Sequence, residues 1–119
     1  MVSRRTVLFI EDEPILRVSY ERFFAGHYEL LFASSGAQAL TLLGQHNPDA
    51  AVLDLRLPDT DGIDLLKRIH QIQPQLPVII ATAYSSIEPQ LEVLDLQHAG
   101  YLVKPFELGA LRDLIDAAL

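Results

Sequence analysis

The sequence has no cysteine, which excludes disulfides, thiolate metal sites and a cysteine nucleophile. A reducing, cytoplasmic setting fits that absence. Cations are scarce: nine Lys and Arg against sixteen Asp and Glu leave a formal charge of −7. Nucleic acids and anionic membranes are bound by clustered cations, so neither is an expected partner. No apolar run approaches the roughly 20 residues of a membrane span. The basic pair Arg4 and Arg5 is followed by too short an apolar run for a signal peptide. Internal repeats, low-complexity tracts and linkers are missing, as are a Walker loop and a Gly-x-Gly-x-x-Gly. What remains is 50% hydrophobic and 21% charged, the profile of a folded globular domain. At 119 residues against a typical roughly 150 per domain, one domain over 1–119 is expected. A stand-alone protein and a module excised from a longer one would read alike.

Short apolar runs alternate with longer amphipathic ones. Thr6 to Ile10, Tyr28 to Ala33, Ala50 to Leu53, Pro77 to Ala81 and Gly100 to Val103 read as strands. Three of these are apolar throughout, as parallel strands covered on both faces require. Pro14 suits the first turn of a helix running towards Ala25, with Gly26 as its stop. Ser35 is placed to cap a second helix, which Gly44 or Asn47-Pro48 ends. Asp61 is placed to cap a third that finishes before Pro74. A fourth starts near Pro89, and a fifth spans Glu107 to Ala118. Strand–helix repeated five times with short connections predicts parallel strands and right-handed crossovers, hence a doubly wound α/β sheet.

Such sheets bind ligands outside the carboxyl ends of their strands. The first strand is followed by Glu11-Asp12-Glu13 and the third by Asp54; the fourth ends in Ala81-Thr82-Ala83 and the fifth in Lys104-Pro105. Singly, each is most simply a solvated loop residue or a helix cap. If the first and third strands are neighbours, however, Glu11, Asp12 and Asp54 converge. Two carboxylates about 5 Å apart repel by roughly 3 kcal/mol at an effective dielectric near 20, so a cation is called for. Hard oxygen donors without Cys or paired His suit Mg²⁺. Lys104 adds a fixed positive charge and Thr82 a hydroxyl. A metal, an ammonium and a hydroxyl around one carboxylate make a phosphoryl-transfer site in which Asp54 attacks phosphorus in line.

The runs Leu8-Phe9-Ile10-Glu11-Asp12-Glu13-Pro14, Val52-Leu53-Asp54-Leu55-Arg56-Leu57-Pro58-Asp59-Thr60-Asp61-Gly62, Pro77-Val78-Ile79-Ile80-Ala81-Thr82-Ala83 and Tyr101-Leu102-Val103-Lys104-Pro105-Phe106 follow one another in this order. Together they resemble the receiver domain of bacterial two-component response regulators over essentially the whole chain. The resemblance implies a five-stranded flavodoxin-like (βα)5 fold with strand order 2-1-3-4-5. It implies Asp54 as phosphoacceptor, supplied by a sensor histidine kinase or phosphotransfer protein. It implies Mg²⁺ on Asp12, Asp54 and the main-chain carbonyl of Arg56, with Glu11 acting through water or by holding Lys104. Lys104 would pair with the phosphoryl oxygens, and its bond to Pro105 would be cis. Thr82 and Tyr101 would be the switch pair, and the small Ala83 would leave the phosphoryl group room. The fourth helix, fifth strand and fifth helix would carry the change to an output domain or partner, and phosphorylation-linked homodimers are common in the family. The chain is thus expected to be a signalling receiver that assists only its own phosphorylation and dephosphorylation.

Arg56 and Tyr84, each two residues beyond an implied site residue, would border the path of the hydrolytic water and set phosphoryl lifetime. Gln97-His98 stands where the family usually has Gly-Ala, although the 22-residue spacing from Thr82 to Lys104 is the usual one. His27, His46, His70 and His98 are far apart in sequence and show no metal-ligand pairing. Ile15 and Leu16 start the first helix near where the family docks its kinase, and both also read as ordinary helix core. A receiver that signals by binding alone would lack part of the acidic set or the lysine. A haloacid-dehalogenase-like phosphatase would want Asp-x-Asp after its first strand. A flavodoxin would want a Ser/Thr-rich phosphate loop where Glu11-Asp12-Glu13-Pro14 would repel phosphate.

Overall fold

Strands that are apolar at every position need cover on both faces, and these receive it. The computed structural model describes residues 4–83 and 96–119. Its strands are β1 (Thr6–Ile10), β2 (Glu29–Ala33), β3 (Ala50–Leu53), β4 (Val78–Thr82) and β5 (Gly100–Val103), all parallel in the order β2-β1-β3-β4-β5. The inner strands β1, β3 and β4 are buried almost end to end, whereas β2 and β5 at the edges are half-exposed. The helices described are α1 (Pro14–Phe24), α2 (Gly36–Gln45), α3 (Gly62–Ile72) and a C-terminal helix (Leu108–Ala118). None of them is long and apolar enough to cross a membrane. The helix expected near Pro89 falls within 84–95, outside the described residues.

The two-residue period of a strand divides the core in two. Leu8, Ile10, Ala51, Leu53 and Ile80 pack with Ala39 and Leu43 of α2 and Leu65, Leu66 and Ile69 of α3. Val7, Phe9, Val52 and Ile79 point the other way, onto Tyr20 and Phe24 of α1 and Leu111 and Ile115 of the C-terminal helix. Phe9 is the aromatic hub of that face, its ring centroid 4.8 Å from Tyr20, 5.3 Å from Phe24 and 5.5 Å from Phe32.

Local signals set most element ends. Ser35 accepts the Gln38 N–H and Asp61 the Ile63 N–H, so both expected caps form. Pro14 occupies the first turn of α1. Differences from the sequence reading are small. Of the two ends expected for the second helix, Asn47-Pro48 and not Gly44 is the one met: the helix runs through Gly44 to Gln45, and Gln73 Nε2 reaches over from the end of α3 to donate to the Leu43 and His46 carbonyls. Tyr28 lies before β2, its hydroxyl hydrogen-bonded to Asp116 of the C-terminal helix. The fourth strand begins one residue later than expected and includes Thr82.

After β3 the chain makes a tight loop before α3. The Gly62 N–H donates to the Leu55 carbonyl, and a Cβ on Gly62 would lie 2.3 Å from the Leu55 Cα. Because that obstacle is backbone, Gly62→Ala should cost about 1–3 kcal/mol in unfolding free energy, read from denaturant midpoints. Tyr20→Phe should go the other way. The buried Tyr20 hydroxyl has no hydrogen-bond partner among the described residues, and removing an unsatisfied polar group should raise stability by about 1 kcal/mol in the same assay.

Candidate functional site

Strand register assembles the site. Ile10 of β1 lies opposite Leu53 of β3, so the following residues, Glu11 and Asp54, leave the sheet side by side. The Asp54 N–H donates to the Ile10 carbonyl at 3.0 Å. On the other flank Thr82 of β4 lies opposite Val103 of β5, and the Lys104 N–H donates to the Thr82 carbonyl at 2.9 Å. The Lys104–Pro105 peptide bond is cis, as the resemblance implied.

The Lys104 ammonium donates to Glu11 Oε1 and to Asp54 Oδ2, both at 2.8 Å. The other Asp54 oxygen, Oδ1, accepts the Arg56 N–H at 3.0 Å. Glu11, Asp54 and Thr82 are 1%, 3% and 0% exposed, unusual for two acids on adjacent strands. Burial pushes the Glu11 carboxyl up to about 7 against the pull of Lys104, and the charge on Asp54 pushes the same way. Burial alone would favour a neutral Lys104, but its hydrogen bonds to Asp54 and Glu11 outweigh this and hold the ammonium above its ordinary range.

Above these groups lies an open pocket of about 400 Å³ lined by Asp12, Glu13, Asp54, Arg56, Leu57, Pro58, Ala83 and Lys104. Glu11, Asp12 and Asp54 each offer a carboxylate oxygen within 4.8 Å of the others. Opposite oxygens around a Mg²⁺ ion are about 4.2 Å apart at its usual bond length, so this cluster has the scale of one hard cation. All its donors are oxygens. The acidic set therefore fits a metal ion, with Glu11 already occupied by Lys104 and by the Glu13 N–H.

Thr82 is wholly buried beside Lys104, and Tyr101 lies one pleat back along β5, opposite Ile80. The Tyr101 ring meets His98 edge to face, with centroids 6.2 Å apart. The Arg56 side chain is exposed at the pocket wall. Tyr84 lies outside the described residues. Ile15 is 84% exposed at the start of α1, whereas Leu16 packs on the core. Of the four histidines, His70 and His98 line a common hollow at the opposite end of the sheet.

Comparison with known proteins agrees with this geometry. The family model described as response regulator receiver domain matches residues 7–116. The chain is similar to response regulator protein PilR of Pseudomonas aeruginosa, 37% identical over 120 residues that cover 99% of this chain and 27% of that protein. It is also similar to sporulation initiation phosphotransferase F of Bacillus subtilis, 32% identical over 114 residues, 95% of this chain and 92% of that one. The chain spans about a quarter of the length of PilR and of the Escherichia coli regulatory protein AtoC. Among solved structures, the receiver domain of Francisella response regulator 1452 superposes with a TM-score of 0.86 at 30% identity, covering 97% of this chain and 96% of that one. Response regulator protein TrrA of Thermotoga maritima, solved with Mg²⁺ and BeF, gives 0.84 at 27% identity, covering 97% of this chain and 99% of that one.

Two residues matter here that the sequence reading left without a role. Glu13 sits beside Lys104, and its place in the acidic run was the available signal. Asp59 gave no local signal, because its partners are 22 and 23 residues away: its carboxylate accepts the Ala37 and Gly36 N–H groups at 3.0 and 2.8 Å. It thereby ties the loop after Asp54 to the N-terminus of α2. Those two N–H bonds, Gly36 first, lower the Asp59 pKa. A carboxylate with a depressed folded-state pKa stabilises fully above its unfolded value near 4, and the contribution is lost as pH falls through the lower folded value. Asp59→Asn should therefore lower Tm at pH 7, and the gap to wild type should close as the pH falls through the lowered folded-state value. A gap that stays constant with pH would show that the charge contributes nothing.

Proposed function

The chain belongs to the response regulator receiver domain family, whose members are phosphorylation-activated switches, and from that premise we propose that it takes its phosphoryl group on Asp54 from a sensor histidine kinase or phosphotransfer protein. The observation that carries this reading is the Asp54 carboxylate itself. It is buried at the floor of an open pocket, held at one oxygen by Lys104 and at the other by the Arg56 N–H, with two more acids within reach of a shared cation.

An Asp54 oxygen attacks phosphorus, a P–O bond forms, and the donor's P–N bond breaks with its electron pair leaving on the histidine imidazole. Mg²⁺ would be held by Asp12, Asp54 and the main-chain carbonyl of Arg56, with Glu11 acting through water, and when bound supplies positive charge that offsets the carboxylates and the transferred group. Lys104 leaves Asp54 Oδ2 for the new phosphoryl oxygens, keeping its bond to Glu11. Thr82 donates its hydroxyl to the same group, and Tyr101 follows from β5. Arg56, at the pocket wall, borders the approach of the hydrolytic water and sets lifetime; Tyr84, expected to share that role, lies outside the described residues. Ala83, without side-chain bulk, leaves the phosphoryl group room.

The chain is a signalling receiver and not a classical enzyme; assistance to its own phosphorylation and dephosphorylation is the only chemistry assigned. Phosphorylation adds charge and acceptor oxygens at one point, and a full reversal of a two-state population from about 1:99 requires about 5.5 kcal/mol of differential interaction. Ile15, exposed on α1 near the acidic run, is a contact for the phosphoryl donor. The setting is the cytoplasm, where such donors act.

Intact mass after incubation with Mg²⁺ and acetyl phosphate tests the assignment. Wild type should gain one phosphoryl group, and Asp54→Asn or wild type without Mg²⁺ should gain none. An adduct that persists in Asp54→Asn would place the acceptor elsewhere and overturn it.

A further inference from the structure

Glu13 completes the run Glu11-Asp12-Glu13 but is placed differently from its neighbours. It immediately precedes Pro14 at the start of α1, where a short polar side chain ordinarily turns back to accept helix N–H groups. The Glu13 side chain makes no such capping bond. Its Oε1 instead lies 3.6 Å from Lys104 Nζ, and its N–H donates to Glu11 Oε2 at 3.2 Å, anchoring its backbone to the buried acid. The Glu13 side chain is 63% exposed, against 2% for Glu11 and 4% for Asp54. It lines the same pocket as Arg56 and Ala83. Lys104 thus faces two buried acids inward and one exposed acid at the mouth.

From this placement we propose that Glu13 is a specificity-determining residue for the phosphoryl donor, disfavouring small donors in proportion to their negative charge. The inference rests on Asp54 being the acceptor. Any donor must bring its phosphoryl oxygens past the Glu13 carboxylate and towards the ammonium that Glu13 shares. A unit charge about 6 Å from a dianion in water-like surroundings changes an encounter-limited rate by about tenfold, and a monoanion by about threefold. Because Glu13 is exposed, salt screens this effect within a Debye length of about 10 Å at 0.1 M. Glu11 and Asp54 are each paired with Lys104 at 2.8 Å, which offsets their charge, whereas Glu13 stands farther off at 3.6 Å.

The test compares phosphorylation rates, at saturating Mg²⁺, with acetyl phosphate as a dianionic donor and phosphoramidate as a monoanionic one. Glu13→Gln should react about 3- to 10-fold faster with acetyl phosphate and less than about threefold faster with phosphoramidate, and added KCl should close both gaps. Glu13→Asp, which keeps the charge, should retain wild-type rates. Equal acceleration with both donors, equal slowing with both, or no change would each overturn the proposal. Mg²⁺ affinity, followed separately by NMR shift titration, should fall by no more than about tenfold in Glu13→Gln; a far larger loss would make Glu13 a metal ligand instead. Wild type that accepts a phosphoryl group from neither donor would overturn the selector, whereas an adduct that persists in Asp54→Asn would refute the Asp54 assignment itself.

Discussion

One ammonium reconciles charges that would otherwise hold the carboxyl ends of two strands apart. Lys104 reaches Glu11 and Asp54, residues 93 and 50 positions away, at 2.8 Å each. Buried carboxylates are tolerated only when paired, and breaking such a pair by removing one partner typically costs about 3–5 kcal/mol. The inner strands can therefore end in acids only because β5 delivers a cation beside them. That compensation is incomplete. Asp12 and Glu13 share the same pocket, so the site keeps a demand for further positive charge. That demand is why the acidic set fits a cation, and under the proposed reading the shared ammonium is what a phosphoryl group on Asp54 would recruit.

The two flanks of the site are built with different firmness. The acceptor flank is fixed by backbone. Gly62 closes on Leu55, Asp59 clamps the N-terminus of α2, and both oxygens of Asp54 are engaged. The opposite flank hangs on the edge strand β5, which is half-exposed along its length and ends in Val103 at 40% exposure. Elements that move in switching are drawn from such lightly packed regions. Under the proposed reading, a rigid acceptor beside a softer sensor would confine the chemistry to one point and let shape change elsewhere. The half-buried Tyr101, edge-on to His98, belongs to that softer flank. The relatives PilR and AtoC are about four times as long as this chain, so in them a region of this size is one part of a larger protein.

The sequence by itself determined the element order, the inner strands, the caps at Ser35 and Asp61, and which residues stand at the carboxyl ends of the strands. Each follows from local causes: periodicity, the fixed φ of proline, and the oxygen that a short polar side chain can turn back to its own helix. That Asp54, Lys104 and Thr82 would meet was legible because strand ends in a parallel sheet share one edge. Tertiary structure alone decided what depends on distance between remote residues. Strand register set Asp54 beside Glu11 and Lys104 beside Thr82. The Asp59 clamp, the Gln73 cap on α2 and the shared hollow of His70 and His98 join segments between 22 and 30 residues apart. Glu13 was visible in the sequence as a charge, but only the folded chain shows it turned away from its helix and towards Lys104. A local pattern carries no term for a partner brought in by packing, and this site is made of such partners.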